Sequence, residues 1–274
     1  MSATADVIYH YDGSFDGFLC CVFASYTWKE IPLAICPPEN GQQSLLDSRE
    51  ILTEADKAER VLWSIPEKIG GEALDFLRRV FCTCLENKER DMLLFLRMGY
   101  HLGPKVLDCL KDPLLHRMIR AVRHLENESH LLKGFLRFSE VQNVLVAKIG
   151  PKNYVLPLLS EHFQERYPEE HFLIYDETHK MALVYRPHKA SFAYMDRLDL
   201  PPADADELHC RELWQVFYDA VEITARHNPK CRRTMMPKRY WPYMTEFQRA
   251  LREGEAPAAK HPEVAGEILS AQGS

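Results

Sequence analysis

The sequence lacks the short motifs that most often identify an enzyme class or a bound metal. Phosphate-loop, dinucleotide-binding, kinase and zincin patterns are all missing. The eight cysteines include no CxxC pair and follow no disulfide or zinc spacing, which is typical of small buried residues in a reducing compartment. The nearest pair, Cys82 and Cys84, would point to different faces of a helix. We therefore expect no metal and no cofactor, and an iron–sulfur or zinc role is the least favoured alternative.

Long apolar runs are missing as well. No run approaches the roughly 18 residues that a membrane span requires. The N-terminus does not show the basic stretch followed by an apolar stretch that marks a secretory signal. The sequence therefore predicts a cytoplasmic protein with no membrane partner.

An excess of positive charge is also absent. The net charge is −6 at pH 7, so overall charge gives no support for nucleic-acid binding, and any such role must rest on a local patch. With 274 residues, of which 46% are hydrophobic, the chain is long enough to bury a sizeable core.

The first residues predict a strand that turns directly into a helix. Val7–Tyr11 is rich in strand formers, and Ser14 is placed to cap a mostly buried helix over residues 15–26. Such a turn can hold an anion on the free amides of the helix start. Asp12, Gly13 and Ser14 are therefore a candidate anion-binding turn, and a tight connection with a capped helix is the simpler alternative.

The middle of the chain predicts helices. Prolines and a glycine predict a loop over residues 31–48, and a short strand over 49–53 precedes a helix that begins after Thr53 with a pattern like a capping box. Apolar residues at spacings of three and four predict helices over 55–65, 72–86, 89–101 and 104–125, the last divided by Pro113.

From residue 134 the periodicity changes to that of strands. Strands are predicted over 134–138, 144–149, 172–175 and 181–185, with a helix over 155–166 between the second and the third. This order predicts a mainly antiparallel sheet with a helix on one face, followed by an amphipathic helix over 205–226.

The expected fold class is therefore α+β, as a helical layer followed by a small sheet and a C-terminal helix. We expect a single domain over 1–252, with the helical layer at about 54–133, the sheet layer at about 134–188, a C-terminal helical segment at about 204–252 and a flexible tail over 253–274.

Positive charge is concentrated in two places. One is a row at every third residue of a predicted helix, which suits a phosphate backbone but is equally typical of a solvated helix face. The other is a stretch without acids in which cations alternate with aromatic rings, a combination expected of contact with single-stranded DNA or a flipped base; a basic surface loop and a nuclear-localisation-like run are the alternatives. The residues are Arg117, Arg120 and Arg123 in the row, and Arg226, Lys230, Arg232, Arg233, Lys238, Arg239, Tyr240 and Trp241 in the stretch.

Two further positions are candidates for proton transfer or for binding an anion. His130 is a candidate proton carrier, with Glu128 or Glu126 setting its charge, although Glu126 and His130 are also spaced as a helix-surface pair. Arg137 is a candidate for holding a phosphate or a carboxylate through two hydrogen bonds, and a structural ion pair is the favoured role.

Four motifs, in this order, resemble a bacterial family of probable DNA metabolism or DNA repair proteins with an uncharacterised domain. The resemblance covers roughly residues 6 to 247. The motifs are Tyr11-Asp-Gly-Ser-Phe-Asp-Gly-Phe18, Glu128-Ser-His130 with Gly134-Phe-Leu-Arg-Phe138, Val155-Leu-Pro-Leu-Leu followed by His162-Phe, and Pro237-Lys-Arg-Tyr-Trp241. Leu131 departs from the pattern, because a basic residue is expected directly after the histidine.

The resemblance implies a genomic context rather than a mechanism. It implies a radical-SAM partner with a helix-hairpin-helix motif, encoded beside this protein. It also implies that related domains occur fused to a module similar to a uracil-DNA glycosylase. We therefore expect a DNA-binding accessory protein. The alternatives are an enzyme that acts on a modified base or nucleotide and a protein-interaction scaffold that does not contact DNA.

Overall fold

The computed structural model describes residues 3–38, 47–201, 205–221 and 228–247, and these residues form the α+β fold that the sequence predicts. The chain divides into two compact units. The first comprises residues 1–127 with 152–154, and the second comprises 128–151 with the chain from 155 onward. The organisation as one domain over 1–252 stays a prediction.

The first unit begins with a small parallel sheet. Strand β1 (Ala3–His10) leads into helix α1 (Phe15–Thr27), and strands β2 (Glu30–Cys36) and β3 (Asp47–Glu50) lie on either side of β1 in the order β2-β1-β3. The predicted strand and the Ser14 cap of α1 are confirmed, since the Ser14 side chain accepts a hydrogen bond from the Gly17 amide.

The predicted loop over 31–48 is wrong for its first part, because β2 is a strand. Pro32 lies in β2 opposite Ala5. β2 is at the edge of the three-stranded sheet, where a residue without an N–H group is tolerated. Pro32 therefore marks an edge strand rather than a break.

Four long helices complete the first unit or begin in it. They are α2 (Ala55–Lys68), α3 (Gly71–Phe81), α4 (Lys88–Leu102) and α5 (Pro113–Phe135), with a 3₁₀ helix over Gly103–Asp108 before α5. The predicted division at Pro113 is confirmed. The capping box at Thr53 is wrong, since Glu54 occupies the cap position of α2 without a side-chain hydrogen bond. The sheet and helices share one core, which includes Tyr9, Phe18, Ile65, Phe95 and Leu96.

The second unit contains a five-stranded sheet in chain order. Its strands are β4 (Ser139–Val141), β5 (Val144–Ile149), β6 (Phe172–Asp176), β7 (Met181–Arg186) and β8 (Lys189–Tyr194), with helix α6 (Leu156–Arg166) between β5 and β6. Every neighbouring pair is antiparallel except β5 and β6, which are parallel. The mainly antiparallel sheet is confirmed, and β8 extends it beyond the predicted layer.

The strand predicted over 134–138 is wrong, because α5 continues through Phe135. Leu132, Phe135 and Leu136 keep the helical spacing of three and four, and the Phe135 ring packs 5.6 Å from the ring of Tyr240. Gly134 is exposed, and a Cβ atom added there would meet no other group within 4 Å, so the helix tolerates the glycine at a cost of about 1 kcal/mol relative to alanine.

The end of the described chain is helical. Helices α7 (Ala205–Ala220) and α8 (Pro229–Met235) precede 3₁₀ helices over Lys238–Tyr243 and Thr245–Phe247. The last part of the helix predicted over 205–226 and the tail over 253–274 lie outside the described residues. None of the described helices is long and apolar enough to cross a membrane.

Candidate functional site

The turn after β1 is filled by a carboxylate of the protein itself. Asp12 Oδ1 accepts hydrogen bonds from the Ser14 amide at 2.9 Å and the Ser14 hydroxyl at 2.6 Å, and Asp12 Oδ2 accepts one from the Thr53 hydroxyl at 2.7 Å. The Ser14 hydroxyl in turn accepts from the Gly17 amide at 2.9 Å. A bound phosphate would therefore have to displace an internal acceptor, and the anion-binding role of Asp12, Gly13 and Ser14 stays a prediction.

The same hydrogen bonds stabilise the charged form of Asp12. Burial alone would raise its pKa, but the hydrogen bonds from Ser14 and Thr53 outweigh burial and lower the pKa below its usual value. Gly17 permits this arrangement, because a Cβ atom there would overlap Asp12 Oδ1 and lie 2.8 Å from Thr53 Oγ1. The turn is thus negatively charged and tightly packed.

An open cleft of about 420 Å³ adjoins this turn. It lies at the carboxyl ends of β1 and β3, where the chain has wound from β1 to β2 on one side and then to β3 on the other. In open α/β sheets, ligands bind at this point of reversal. Its polar lining side chains are His10, Asp12, Ser48, Glu50 and Thr53, and no lysine or arginine lines it in the part of the chain that the structure describes.

Tyr11 also lines the cleft, and its hydroxyl is a neutral hydrogen-bond donor. Its hydroxyl donates to Glu89 at 3.1 Å, and both residues are buried. Burial, followed by the negative charge of Glu89, raises the pKa of Tyr11 far above its usual value. Sequence reasoning missed Glu89, because its partner is 78 positions away in the chain.

Glu128, a buried residue in the second half of α5, contacts Arg239 and Tyr240 rather than His130. The Arg239 guanidinium lies 3.0 Å from Glu128 Oε1, the Tyr240 hydroxyl donates to the same oxygen at 3.3 Å, and Arg239 also contacts the Tyr240 hydroxyl. Burial, and then the charge of Glu128, raise the pKa of Tyr240 to about 12. His130 is exposed, and the catalytic roles of His130 and Glu128 stay predictions.

In the structure Glu126 pairs with a residue other than His130. Glu126 Oε1 instead accepts a hydrogen bond from Arg79 at 2.8 Å. Both members of that ion pair are about half exposed, so it contributes little to stability.

The aromatic residues of the basic stretch are buried. Tyr240 and Trp241 are among the core residues. The Trp241 ring stacks on Phe247 with 4.7 Å between centroids, and its indole N–H donates to the Met236 carbonyl at 3.1 Å. Stacking on a nucleic-acid base stays a prediction for both residues, and it would require this segment to open.

Two of the candidate arginines are held by buried carboxylates. Arg117 makes two hydrogen bonds to Asp91, at 2.7 and 2.8 Å. Arg137 makes two to Glu246, at 2.7 and 3.3 Å, which is the structural ion pair favoured for it. Neither carboxylate partner could be recognised from the sequence, because nothing in the spacing links residues so far apart.

The remaining candidate cations are either exposed or outside the described residues. Arg120, Arg123, Lys230 and Lys238 are exposed, and the structure gives no ion pair for them with any described residue. Lys238 lies 5.6 Å from the Trp241 ring. Arg226 and the side chains of Arg232 and Arg233 lie outside the described residues.

The comparison with known families gives one match. The model of a family described as a domain of unknown function, DUF4130, matches residues 86–246, which is more than half of the chain. The chain belongs to the DUF4130 family. No curated protein and no solved structure matches it.

Some of the candidate sites lie within the residues that the DUF4130 model matches, and others lie outside them. The match includes the arginine row of α5, the contacts of Glu128 with Arg239 and Tyr240, the pair of Arg137 with Glu246 and the basic stretch up to Trp241. The carboxylate-filled turn and the cleft, both within residues 10–53, lie outside it.

Proposed function

We propose that this DUF4130 protein is a DNA-repair or DNA-metabolism protein that binds DNA and acts as an accessory to a radical-SAM partner. The observation that carries the DNA contact is the pair Arg120 and Arg123, exposed on α5 and not engaged in an ion pair with any residue that the structure describes. His116 and His124 are exposed beside them.

The spacing of these arginines suits a phosphate backbone. Residues three apart on a helix are neighbours on one face, separated by about 4.5 Å along the axis. Two unpaired guanidinium groups on one face can each neutralise a phosphate and release counterions. Such a contact depends on local charge and is compatible with a net charge of −6.

Only some of the other candidate cations support this proposal. Lys230 and Lys238 are exposed and add to the positive surface of the second unit. Arg117 and Arg137 give no support for phosphate binding, because buried carboxylates already hold their guanidinium groups. The radical-SAM partner and the module similar to a uracil-DNA glycosylase are supported only by the resemblance of the four sequence motifs.

The test is the salt dependence of DNA binding, measured by fluorescence anisotropy with single- and double-stranded DNA. Arg120→Ala/Arg123→Ala should weaken binding to all sequences and reduce the slope of log K against log salt by about 2. The matched control is Arg186→Ala/Lys189→Ala, which removes two exposed cations from the β7–β8 hairpin and should leave the slope unchanged. If the wild type does not bind DNA at low salt, the proposal fails and the scaffold alternative replaces it.

The cleft favours a second candidate, an enzyme acting on a nucleoside or modified base. Its described lining offers the carboxylates of Asp12 and Glu50 and the hydroxyls of Ser48 and Thr53, without a cation. Carboxylates accept hydrogen bonds from sugar hydroxyls and repel phosphates, so an uncharged nucleoside suits it better than a nucleotide. His130 is not among its lining residues.

This second candidate is tested with a panel of nucleosides and the matching nucleoside monophosphates. A nucleoside should raise the melting temperature of the wild type more than the monophosphate does, and Glu50→Gln should reduce the difference. Turnover of a defined damaged nucleoside by the isolated protein would establish the enzyme. The absence of any shift at millimolar ligand would exclude the cleft as the site.

A further inference from the structure

In the second unit, the segment that follows α5 packs against helix α6. The ring of Phe138 lies 5.5 Å from the ring of Phe163 and 5.5 Å from that of Tyr167, measured between centroids. Phe163 and Tyr167 are four residues apart, so they share one face of the helix. The side chains that border this face of α6 are therefore close to the end of α5.

His162 and Arg166 border this face. They are spaced i, i+4 and each precedes one of the two packed aromatic residues, so their side chains are neighbours on the helix. The half-buried ring of His162 lies 5.0 Å from the Phe163 ring. Arg166 is exposed, and its Nε donates to the Tyr167 hydroxyl at 3.3 Å. This hydrogen bond keeps the guanidinium at the same edge of the helix as His162.

Lys133 of α5 adds a third cation. Burial lowers the pKa of the His162 imidazole, and the positive charges of Lys133 and then Arg166 lower it further, against the weaker opposing effect of Glu165. The positive charges therefore outweigh the negative one at this ring. Lys133 is exposed, and the position beside it, Gly134, has open space around it.

The two permanent charges of this group are not neutralised within the described chain. Lys133 and Arg166 form no ion pair with any residue that the structure describes, in contrast to Arg137 and Arg211 of the same unit. Like charges held close together raise each other's energy, and a bound anion relieves this repulsion.

We infer that Lys133, His162 and Arg166 form a phosphate-binding site, and that its ligand is a backbone phosphate of DNA. The donors are complementary to the phosphate oxygens: a guanidinium fork, an ammonium group and the N–H groups of an imidazolium. The identity of the ligand rests on the DNA binding proposed above, whereas the existence of the site does not.

Binding at this site should take up a proton. A phosphate beside the ring favours the charged imidazole and raises the pKa of His162. Affinity is therefore greatest below the pKa of the free protein and weakens as the pH rises through the pKa of the complex. A rise of about 1 in this pKa corresponds to about a tenfold difference in affinity between the two protonation states. His116 and His124 are exposed on α5 and also gain charge on acidification, so the measurement must be specific for His162.

The direct measurement is an NMR titration of the His162 ring in the full chain, assigned by comparison with His162→Gln. The probes are sulfate and an oligothymidylate of about ten residues, with the ionic strength held constant by chloride. Neither probe changes its charge between about pH 5 and pH 8, so a change in the titration comes from the protein. Each should raise the pKa of His162 by about 1, while the exposed His188 serves as the internal control. No change with either probe overturns the site.

The decisive variant is Lys133→Gln/Arg166→Gln. Without any ligand, the pKa of His162 should rise because two like charges are removed, and neither probe should then change it further. Affinity for the oligonucleotide should fall by at least about tenfold at low salt. The matched control is Arg186→Gln/Lys189→Gln, which removes two exposed cations from the β7–β8 hairpin and should bind like the wild type. Undiminished binding by the decisive variant overturns the proposal.

Failure of this site and failure of the proposed function give different results. Arg120→Ala/Arg123→Ala should keep the response of His162 to sulfate, because these arginines are not part of the site. A response to sulfate in a wild type that does not bind the oligonucleotide would remove the proposed function and, with it, DNA as the ligand. DNA binding without any response of His162 would overturn the site alone.

Discussion

Arg137 and Glu246 form a two-point ion pair between residues 109 positions apart. The Glu246 side chain is 1% exposed and the Arg137 side chain 22%, and the guanidinium also lies over the Trp214 ring at 5.3 Å. The pair therefore joins the segment after α5 to the last described residues of the chain. Because the carboxylate is buried, removal of the arginine should be strongly destabilising, since it leaves a buried negative charge without its ionic partner.

Arg137→Ala should lower the free energy of unfolding by about 3 kcal/mol, because it removes the ionic partner of the buried Glu246 carboxylate. Urea denaturation followed by circular dichroism measures the change. Arg137→Met/Glu246→Met removes both charges and should be clearly more stable than the single variant. If the single variant is as stable as the wild type, the pair has no structural role.

Gly17→Ala should destabilise the protein by about 2 kcal/mol, since the added methyl group overlaps the Asp12 carboxylate and crowds Thr53. The control is Gly71→Ala. Gly71 is the first residue of α3 and has open space around it, so alanine there should stabilise the protein by about 0.5 kcal/mol. Thermal unfolding of the two variants should therefore shift in opposite directions, and equal shifts would contradict the packing at Gly17.

The stabilising effect of Asp12 should depend on pH. Its pKa is lower in the folded protein than its usual value of 3.8, so its contribution is complete above that value and is lost as the pH falls through the folded-state pKa. The stability difference between the wild type and Asp12→Asn should therefore be largest near neutral pH and shrink below about pH 4. Urea titrations at several pH values would show this, and a difference that grows on acidification would contradict it.

Trp241→Ala should lower the free energy of unfolding by about 3 kcal/mol, because the indole is buried and stacked on Phe247. Trp63→Ala is the control: Trp63 is 73% exposed on α2, and its loss should cost less than about 0.5 kcal/mol. DNA affinity is then compared at a temperature where both variants are folded. A folded Trp241→Ala protein that has lost only single-strand affinity would restore the base-stacking interpretation.

Local patterns were sufficient for much of the fold. The Ser14 cap, the helix spacing over residues 55–101 and the strands over 172–175 and 181–185 depend on neighbours in the chain, and the structure confirms them. Errors arose where tertiary context overrides a local signal. Pro32 indicates a loop until β2 is known to be an edge strand. The apolar residues from 134 indicate a strand until Phe135 is known to belong to α5 and to pack on Tyr240.

Less of the candidate site could be predicted from the sequence, because the sequence does not show which residue a charged side chain will pair with. Arg117 and Arg120 belong to the same row, yet only Arg117 meets a buried carboxylate, Asp91 on α4. In the same way, Tyr240 and Trp241 look like an exposed basic-aromatic stretch, although their rings fill the core. Burial depends on the whole fold, and these distinctions could not be made from spacing alone.

The DUF4130 match begins at residue 86, but the physical unit at that end begins much earlier. Met92, Phe95 and Leu96 of α4 are fully buried in a core shared with β1 and helices α1 to α3, none of which the match includes. A fragment cut at the family boundary would expose that apolar face of α4 to water and would tend to aggregate. Expression of the family domain therefore requires the preceding residues, and the evolutionary boundary here is not a folding boundary.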